Sequence, residues 1–362
     1  MMLYKIAANM KPDQFHSVVL SIKSNGNMAP LFASKRIPVF SLGMNQPCSF
    51  PVTLLKLKKI IDKTKPDLIQ GWMYHGNLFA LMGRYLQKQC LPVVWNIRHS
   101  IYDIRLEKKL TQYLISLGAM FSSRINSIIY NATTSAEQHE DAGFSSKNRV
   151  VIPNGFDTRI FRPHKKARAI LRDELNLADD STLIGMIARY HQMKDHATFL
   201  QSAKIIRKCM PQVKFLLVGT GVDKNNSELQ QLIQKMGLDE TTFLLGERSD
   251  ISIISAALDV ACLSSYSEGF PNTLGEAMAC GVPCVATDVG DTASLVGSGG
   301  RVVPAQDPNA FANAVMEILK MTTKQRRKLA DDARNRILQH YRIENIVRKY
   351  EGIYLQLVGM EN

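Results

Sequence analysis

At 362 residues, with 45% apolar and 21% charged side chains, the chain has the composition of a folded protein of about two domains. Disorder, collagen and coiled coil are excluded, and six scattered cysteines form neither a zinc ribbon nor a disulfide framework. The formal charge is +13, but residues 1–160 hold 20 Lys/Arg against 9 Asp/Glu and residues 161–362 hold 25 against 23, so the basicity belongs to the first half. A basic surface of that kind draws nucleic acid, anionic lipid headgroups or acidic ligands. With no RNP signature, no zinc-finger spacing and no run of five basic residues, nucleic acid is not an expected partner. Cys48, Cys90 and Cys209 stand apart, and Cys262, Cys280 and Cys284 read as small buried hydrophobes. No apolar stretch approaches the roughly 18 residues of a membrane span, and residues 1–9 lack an export signal. The expected location is the cytoplasm.

Short β-branched runs alternate with longer helical patterns, the signature of parallel β-α-β units. The chain opens on a helical pattern at residues 1–9, and strands are expected near 17–22, 38–42, 67–72, 92–97, 127–131 and 149–152. Ile152-Pro153-Asn154-Gly155-Phe156-Asp157 is turn chemistry and reads as a hinge. A second series follows, with strands near 183–188, 214–218, 243–245, 260–264, 284–287 and 301–303. The expected fold class is α/β, with two Rossmann-like doubly wound domains at 1–160 and 161–340. Over 341–362 a last helix, apolar at Ile346, Val347, Tyr350, Ile353, Tyr354 and Leu357, buries one face and is expected to cross back to the first domain. A doubly wound domain normally begins with a central strand and a glycine-rich turn. Here the sequence opens inside the helix that would follow, so the first domain is expected to be incomplete at its start.

The most informative segment, 264–283, runs from a strand's carboxyl end through the loop Glu268-Gly269-Phe270-Pro271-Asn272-Thr273 into a helix that ends at Gly281. That end of the strands is where open parallel sheets bind ligands, and a helix start offers unpaired N–H groups to a phosphate. Glu268 and Glu276, eight positions apart, reach different parts of one ligand: the hydroxyls of a sugar ring and of a ribose. The plainer alternative leaves Glu276 complementing the helix dipole and Glu268 in solvent. After the first strand of the second series, Arg189 and Lys194 place two cations where they could hold a diphosphate and offset the charge of its departure. No D-x-D pair, HExxH or paired CxxC offers a cage to a divalent ion, so no metal and no resident cofactor are expected.

Gly219 and Gly221 form a G-x-G turn after a strand, without the third glycine or the Lys-Ser/Thr of a P-loop. Arg248, after the next strand, is placed to meet a base or to close a turn. In the first half, His75, Arg98 and His99 follow strand ends and together suit an acceptor-side site. Hydrolase templates fail, since there is no G-x-S-x-G elbow. The densest basic run, Lys56 to Lys63, has helical spacing with Leu54, Leu57, Ile60 and Ile61 inward, which fits a solvated helix face or a membrane-surface patch.

Glu268 through Glu276 with Ala277-Met278-Ala279 and Gly281-Val282-Pro283, the Arg189/Lys194 pair, the 152–157 hinge and Val218-Gly219-Thr220-Gly221 together resemble the family-4 retaining glycosyltransferases, of GT-B fold. The likeness covers essentially the whole chain, and the strings at Trp72–Asn77 and Trp95–Ser100 are similar to bacterial enzymes of capsule, lipopolysaccharide or exopolysaccharide synthesis. The resemblance implies two Rossmann-like domains facing across a cleft, a nucleotide-sugar donor on the second and a glycan or lipid-linked acceptor against the first. It implies a metal-independent, retaining hexosyl transfer with Glu268, His99, Arg189 and Lys194 as the catalytic set. Arg189 and Lys194 would grip the diphosphate, Glu276 the ribose, and Glu268 with the backbone of residues 269–272 the donor sugar. Thr273, Gly219, Gly221 and Arg248 would complete the donor side, and His75 and Arg98 the acceptor side. The family's opening strand and Gly-Gly loop have no counterpart here. Basic first domains of this kind imply contact with an anionic membrane surface, on the inner face of the plasma membrane. The rival readings are a UDP-sugar 2-epimerase of the same fold and a truncated, non-catalytic relative that binds nucleotide or membrane.

Overall fold

The computed structural model describes residues 1–24, 26, 28–44, 50–87 and 90–360, so that Cys48 lies outside it. The chain forms two compact units, one of Met1–Gly155 with the segment from Ile343 onward, the other Phe156–Arg342. The divisions fall at 155/156 and 342/343, where the sequence suggested 160/161 and 340/341.

In the first unit, strands β1 (Val19–Ser21) and β2 (Val39–Ser41) form a parallel pair. Strands β3 (Ile69–Gln70), β4 (Val93–Ile97), β5 (Ser127–Tyr130) and β6 (Arg149–Val151) form a separate parallel sheet in that order. The run expected over 67–72 yields only two strand residues. At Gly71 the chain is pressed so closely on the Asn77 backbone that no Cβ would fit, and it turns there into the helix Met73–Tyr85. All five residues of β4 are buried, and its alternation sorts them between two layers. Val93, Trp95 and Ile97 pack with Leu78, Leu81 and Ile115 of the helices Met73–Tyr85 and Lys109–Ser122. Val94 on the other face joins Ile6, Ile129, Ile346 and Tyr350.

The last two of those belong to the helix Ile343–Val358, whose apolar stripe covers this sheet. Polar contacts fix its register. Asn96 donates from Nδ2 to the Tyr350 hydroxyl at 2.8 Å, the Lys11 N–H donates to Glu351 Oε1 at 2.9 Å, and the Tyr354 hydroxyl donates to Gln70.

The second unit is one six-stranded parallel sheet of β7 (Leu183–Ile187), β8 (Lys214–Val218), β9 (Thr242–Leu244), β10 (Val260–Leu263), β11 (Cys284–Thr287) and β12 (Gly300–Val303). Their spatial order is β12-β11-β10-β7-β8-β9. The chain therefore winds outward from β7 in one direction, returns, and winds outward in the other. The loops leaving the carboxyl ends of β7 and β10 start from adjacent strands at this reversal, the end of the sheet where doubly wound folds take ligands. Cys262, Cys280 and Cys284 are buried in this unit, and burial pushes the Cys280 thiol up to about 12. Among the described residues no helix is long and apolar enough to cross a membrane.

Candidate functional site

The segment after β7 is short and fixed at both ends. Asp195, at φ +48°, caps the helix His196–Cys209: its Oδ1 accepts from the Thr198 N–H at 3.0 Å and its Oδ2 from the Thr198 hydroxyl at 2.7 Å. The segment after β10 is stitched to it. Ser264 Oγ donates toward the carbonyls of Asp195 (2.8 Å) and Lys194 (3.1 Å), and the Tyr266 N–H donates to the Met193 carbonyl at 3.0 Å.

This stitching brings Lys194 and Glu268, 74 positions apart in sequence, into an ion pair. Glu268 Oε1 also accepts from Ser265 Oγ at 2.7 Å, and the two charged side chains are only 23% and 10% exposed. Partial burial strengthens such a pair and makes each partner dependent on the other. The Glu268–Gly269 backbone rests on Gly290, at φ +56°, where a Cβ would strike the Glu268 carbonyl, and the Asp291 N–H donates to the Gly269 carbonyl at 3.0 Å.

Arg189 is exposed beside this pair in sequence, and its guanidinium has no hydrogen-bond or ion-pair partner among the described residues. Its backbone is set by the G-x-G turn. Gly219, at φ +149°, lies against the Ala188 carbonyl with no room for a Cβ, and the Tyr190 N–H donates to the Thr220 carbonyl at 2.8 Å. Gly221, at φ +74°, faces Tyr190 Cβ. Both glycines thus have a backbone reason to be glycine: they let the loops after β7 and β8 close on each other.

The helix Asn272–Ala279 starts at Pro271, and no side chain caps it. The start of a helix carries a positive dipole end, which suits a partner with lone pairs or negative charge. Phe270 is turned into the core, its ring 6.2 Å from Phe156 and 5.6 Å from Tyr341, which anchors the loop. Pro271 is buried, Thr273 and Glu276 are half-buried in the helix's first two turns, and Asn272 is exposed.

Arg248 is engaged by carboxylates on both sides. Its Nε and Nη2 donate to Asp250 at 2.8 and 2.7 Å, and its Nη1 pairs with Glu174 at 2.5 Å. Two carboxylates engage the guanidinium, and it closes the turn.

In the first unit, a chain of hydrogen bonds orients His99. His139 Nδ1 lies 2.7 Å from the Ser135 carbonyl and so carries its hydrogen. Nε2 then accepts from the Tyr74 hydroxyl at 2.8 Å, and the Tyr74 oxygen accepts from His99 Nδ1 at 3.1 Å. His99 Nε2 faces Glu107 Oε1 at 3.1 Å, and its carbonyl accepts from Ser135 Oγ at 2.5 Å. Burial pushes the His139 imidazole down to about 4 from its ordinary 6.5 and pushes the Tyr74 hydroxyl up.

The unfolded chain therefore protonates first. The stability carried by neutral His139 is complete above about pH 6.5 and is lost as the pH falls toward 4, on the order of 3 kcal/mol in all. Denaturant melts between pH 7 and 4.5 should show wild type weakening more steeply than His139→Gln, whose amide does not titrate; parallel slopes would contradict this.

Arg98 does not point outward with His99. It stacks over the Trp72 ring at 5.1 Å and donates to Asn96 and the Tyr350 hydroxyl, each at 3.3 Å, and burial lowers its pKa. The strand-end position predicted for it is correct, but its side chain folds inward. His75 is exposed on the first turn of the helix Met73–Tyr85.

The predicted residues thus fall into two groups. Lys194, Glu268, Gly219, Gly221 and the 269–276 segment share one end of the second sheet, and His99 belongs to the first unit. Sequence reasoning passed over Tyr74, Glu107 and His139, and over Ser264, Ser265 and Asp195. Tyr74 and the two serines sat inside segments already singled out, whereas His139 and Glu107 lay in no motif.

Residues 4–160 match the family model described as Glycosyltransferase Family 4, and residues 167–336 match that described as Glycosyl transferases group 1. An Escherichia coli protein, UDP-Gal:alpha-D-GlcNAc-diphosphoundecaprenol alpha-1,3-galactosyltransferase, is 25% identical over 84% of this chain and 79% of its own length. N-acetyl-alpha-D-glucosaminyl L-malate synthase of Bacillus anthracis is 27% identical over 59% of this chain and 55% of its own length. The crystal structure of Anabaena HepE in complex with UDP superposes with a TM-score of 0.83 at 24% identity, covering 97% of this chain and 94% of that one. Two family models that between them span nearly all of the sequence, and a fold shared along its length, place this chain in the family-4 (group 1) glycosyltransferases of GT-B fold.

Proposed function

We propose that the chain moves a hexose from a nucleoside diphosphate sugar to a glycan or lipid-linked acceptor, without a metal ion and with retention at the anomeric carbon, in the synthesis of a cell-surface polysaccharide. The observation that carries this reading is the Lys194–Glu268 pair, held with Ser265 at the strand reversal of the second sheet, in the loop that leads into an uncapped helix start. The pair separates into two tasks when a donor enters. Lys194, with Arg189, neutralises the diphosphate and the charge that grows on it as it leaves. Glu268, released from the lysine, accepts from hydroxyls of the sugar, and Glu276 accepts from those of the ribose. In the first unit, His99, its ring oriented by Tyr74 and Glu107, is the residue assigned to the reaction.

Retention follows from attack on the face that the diphosphate leaves. The acceptor oxygen forms its bond to the anomeric carbon as the carbon–phosphate oxygen bond breaks, and the acceptor's proton passes to that departing oxygen. The named relatives support the substrate classes: the Escherichia coli protein is named for a UDP-sugar donor and a lipid diphosphate acceptor, and HepE also has a structure with UDP-glucose. The work is done at an anionic membrane surface, toward which the basic first unit is drawn.

A thermal-shift screen of nucleotide sugars and free nucleotides tests the donor half. A ligand at about 100 times its Kd stabilises the folded state by about 2.7 kcal/mol, so a nucleoside diphosphate and its sugar should raise the melting point and uncharged sugars should not. Equal activity with and without EDTA is expected, and a donor that is epimerised without acceptor would support the epimerase instead.

A further inference from the structure

Ser135 closes the hydrogen-bond chain behind His99 into a ring. Its hydroxyl donates to the His99 carbonyl while its own carbonyl accepts from His139 Nδ1, so His99 is held through its backbone at one end of the chain and through its imidazole at the other. Ser135 and His139 are fully buried and Tyr74 nearly so. The His139 ring is edge-on to Phe144, 5.1 Å between centroids, and tilted against Tyr130 at 5.5 Å, which fixes its plane.

Each hydrogen in this ring has one place. A carbonyl only accepts, so His139 carries its hydrogen on Nδ1, and burial, which holds its imidazole down to about 4, leaves Nε2 bare at neutral pH. The Tyr74 hydroxyl must then point at His139, which turns its lone pairs toward His99 and requires a hydrogen on His99 Nδ1. At the other edge of the ring, His99 Nε2 meets Glu107 Oε1. A bare nitrogen there would set lone pair against lone pair, so a second hydrogen lies between them, and it belongs to the imidazole, the stronger base of the two. With both hydrogens in place His99 is a cation that donates and has no lone pair to take a proton. Its side chain and that of Glu107 are 29% and 23% exposed, so Nε2–H is the edge that a ligand can reach.

We propose that Tyr74, His139 and Glu107 are positioning residues that hold His99 doubly protonated, so that its Nε2–H donates to an oxygen of the reacting sugars and the ring does not serve as the base. When such an oxygen approaches, Nδ1–H stays fixed on Tyr74, and the ring neither flips nor changes tautomer. The inference rests on the role given to His99 in the proposed function and supplies that role with a protonation state and a support.

Histidine ¹⁵N spectra of the full chain at about pH 7 provide the first test, with His99 assigned by its loss in His99→Asn. Both ring nitrogens of His99 should show hydrogen-bearing shifts. Glu107→Gln should strip the hydrogen from Nε2, because the glutamine amide donates to that nitrogen, and Tyr74→Phe should give a mixture of tautomers. A wild-type ring bare at either nitrogen would overturn the proposal. The second readout is diphosphate release from UDP-glucose or UDP-galactose, whichever wild type turns over faster. Tyr74→Phe and Glu107→Gln should each lower kcat at least about tenfold and leave the donor KM within about twofold. Because Glu107 is partly exposed, Glu107→Gln should melt with wild type, which separates positioning from folding. His139→Gln, whose amide oxygen still accepts from Tyr74, should keep more turnover than His139→Leu. If Tyr74→Phe and Glu107→Gln turn over like wild type while His99→Ala does not, the support is structural and the proposal falls, although His99 keeps its role. If His99→Ala itself turns over like wild type, the role of His99 in the proposed function falls and takes the proposal with it.

Discussion

Lys194→Ala should reduce sugar transfer by about 10²–10³-fold in kcat, the usual effect of removing one fixed group that stabilises developing charge. It should also cost stability, because Glu268 is then left nearly buried with Ser265 as its hydrogen-bond donor. Losing one partner of a fully buried pair costs about 3–5 kcal/mol, and the partial exposure of this one lowers the expected figure to about 1–3 kcal/mol. The two effects separate in the double variant Lys194→Met/Glu268→Gln, which removes both charges and keeps the side-chain volumes. Its melting point should return toward wild type while its turnover stays lost. Recovery of turnover together with stability would show that Lys194 only supports the loop and does not act on the donor.

Gly219→Ala should be a strongly damaging small substitution. A non-glycine residue is strained at φ +149°, and the new methyl would be driven into the Ala188 carbonyl immediately before Arg189. Strain of this kind costs on the order of 1–3 kcal/mol before any clash is counted. The loop that carries Arg189 and Lys194 must shift to relieve it, so nucleotide affinity should fall along with the midpoint of a urea melt. Gly237→Ala serves as a control: it is also left-handed, at φ +69°, but nothing lies within 4 Å of its Cβ position. It should lose about 1 kcal/mol and leave affinity unchanged. Equal affinity loss in the two variants would contradict the loop-closure role assigned to Gly219.

The fold was largely legible because parallel strands buried on both faces announce themselves as short β-branched runs. Leu183–Ile187, Lys214–Val218 and Cys284–Thr287 fell close to where the pattern placed them. Ile69–Gln70 came out shorter than expected, because the Gly71–Asn77 contact that ends it is tertiary and leaves no periodic trace. At the candidate site, Lys194 and Glu268 were found through their positions at strand ends, which local sequence encodes. The side-chain partners of Arg248 and Arg98 were not, since Glu174 and Tyr350 lie 74 and 252 positions away and only the folded chain brings them near. The same reason hid the support of His99, since Tyr74 and His139 are 65 positions apart. The G-x-G turn was recognised, but its geometry gives it a reason in loop packing that the motif alone does not reveal.

The most direct measurement is equilibrium binding of the nucleoside diphosphate selected by the melting screen, set against its monophosphate, for wild type and Lys194→Ala. If the second unit takes the diphosphate through this lysine, wild type should prefer the diphosphate by at least about tenfold, and the preference should collapse in the variant while monophosphate affinity changes little. A preference that survives the substitution unchanged would place the diphosphate elsewhere and contradict the site.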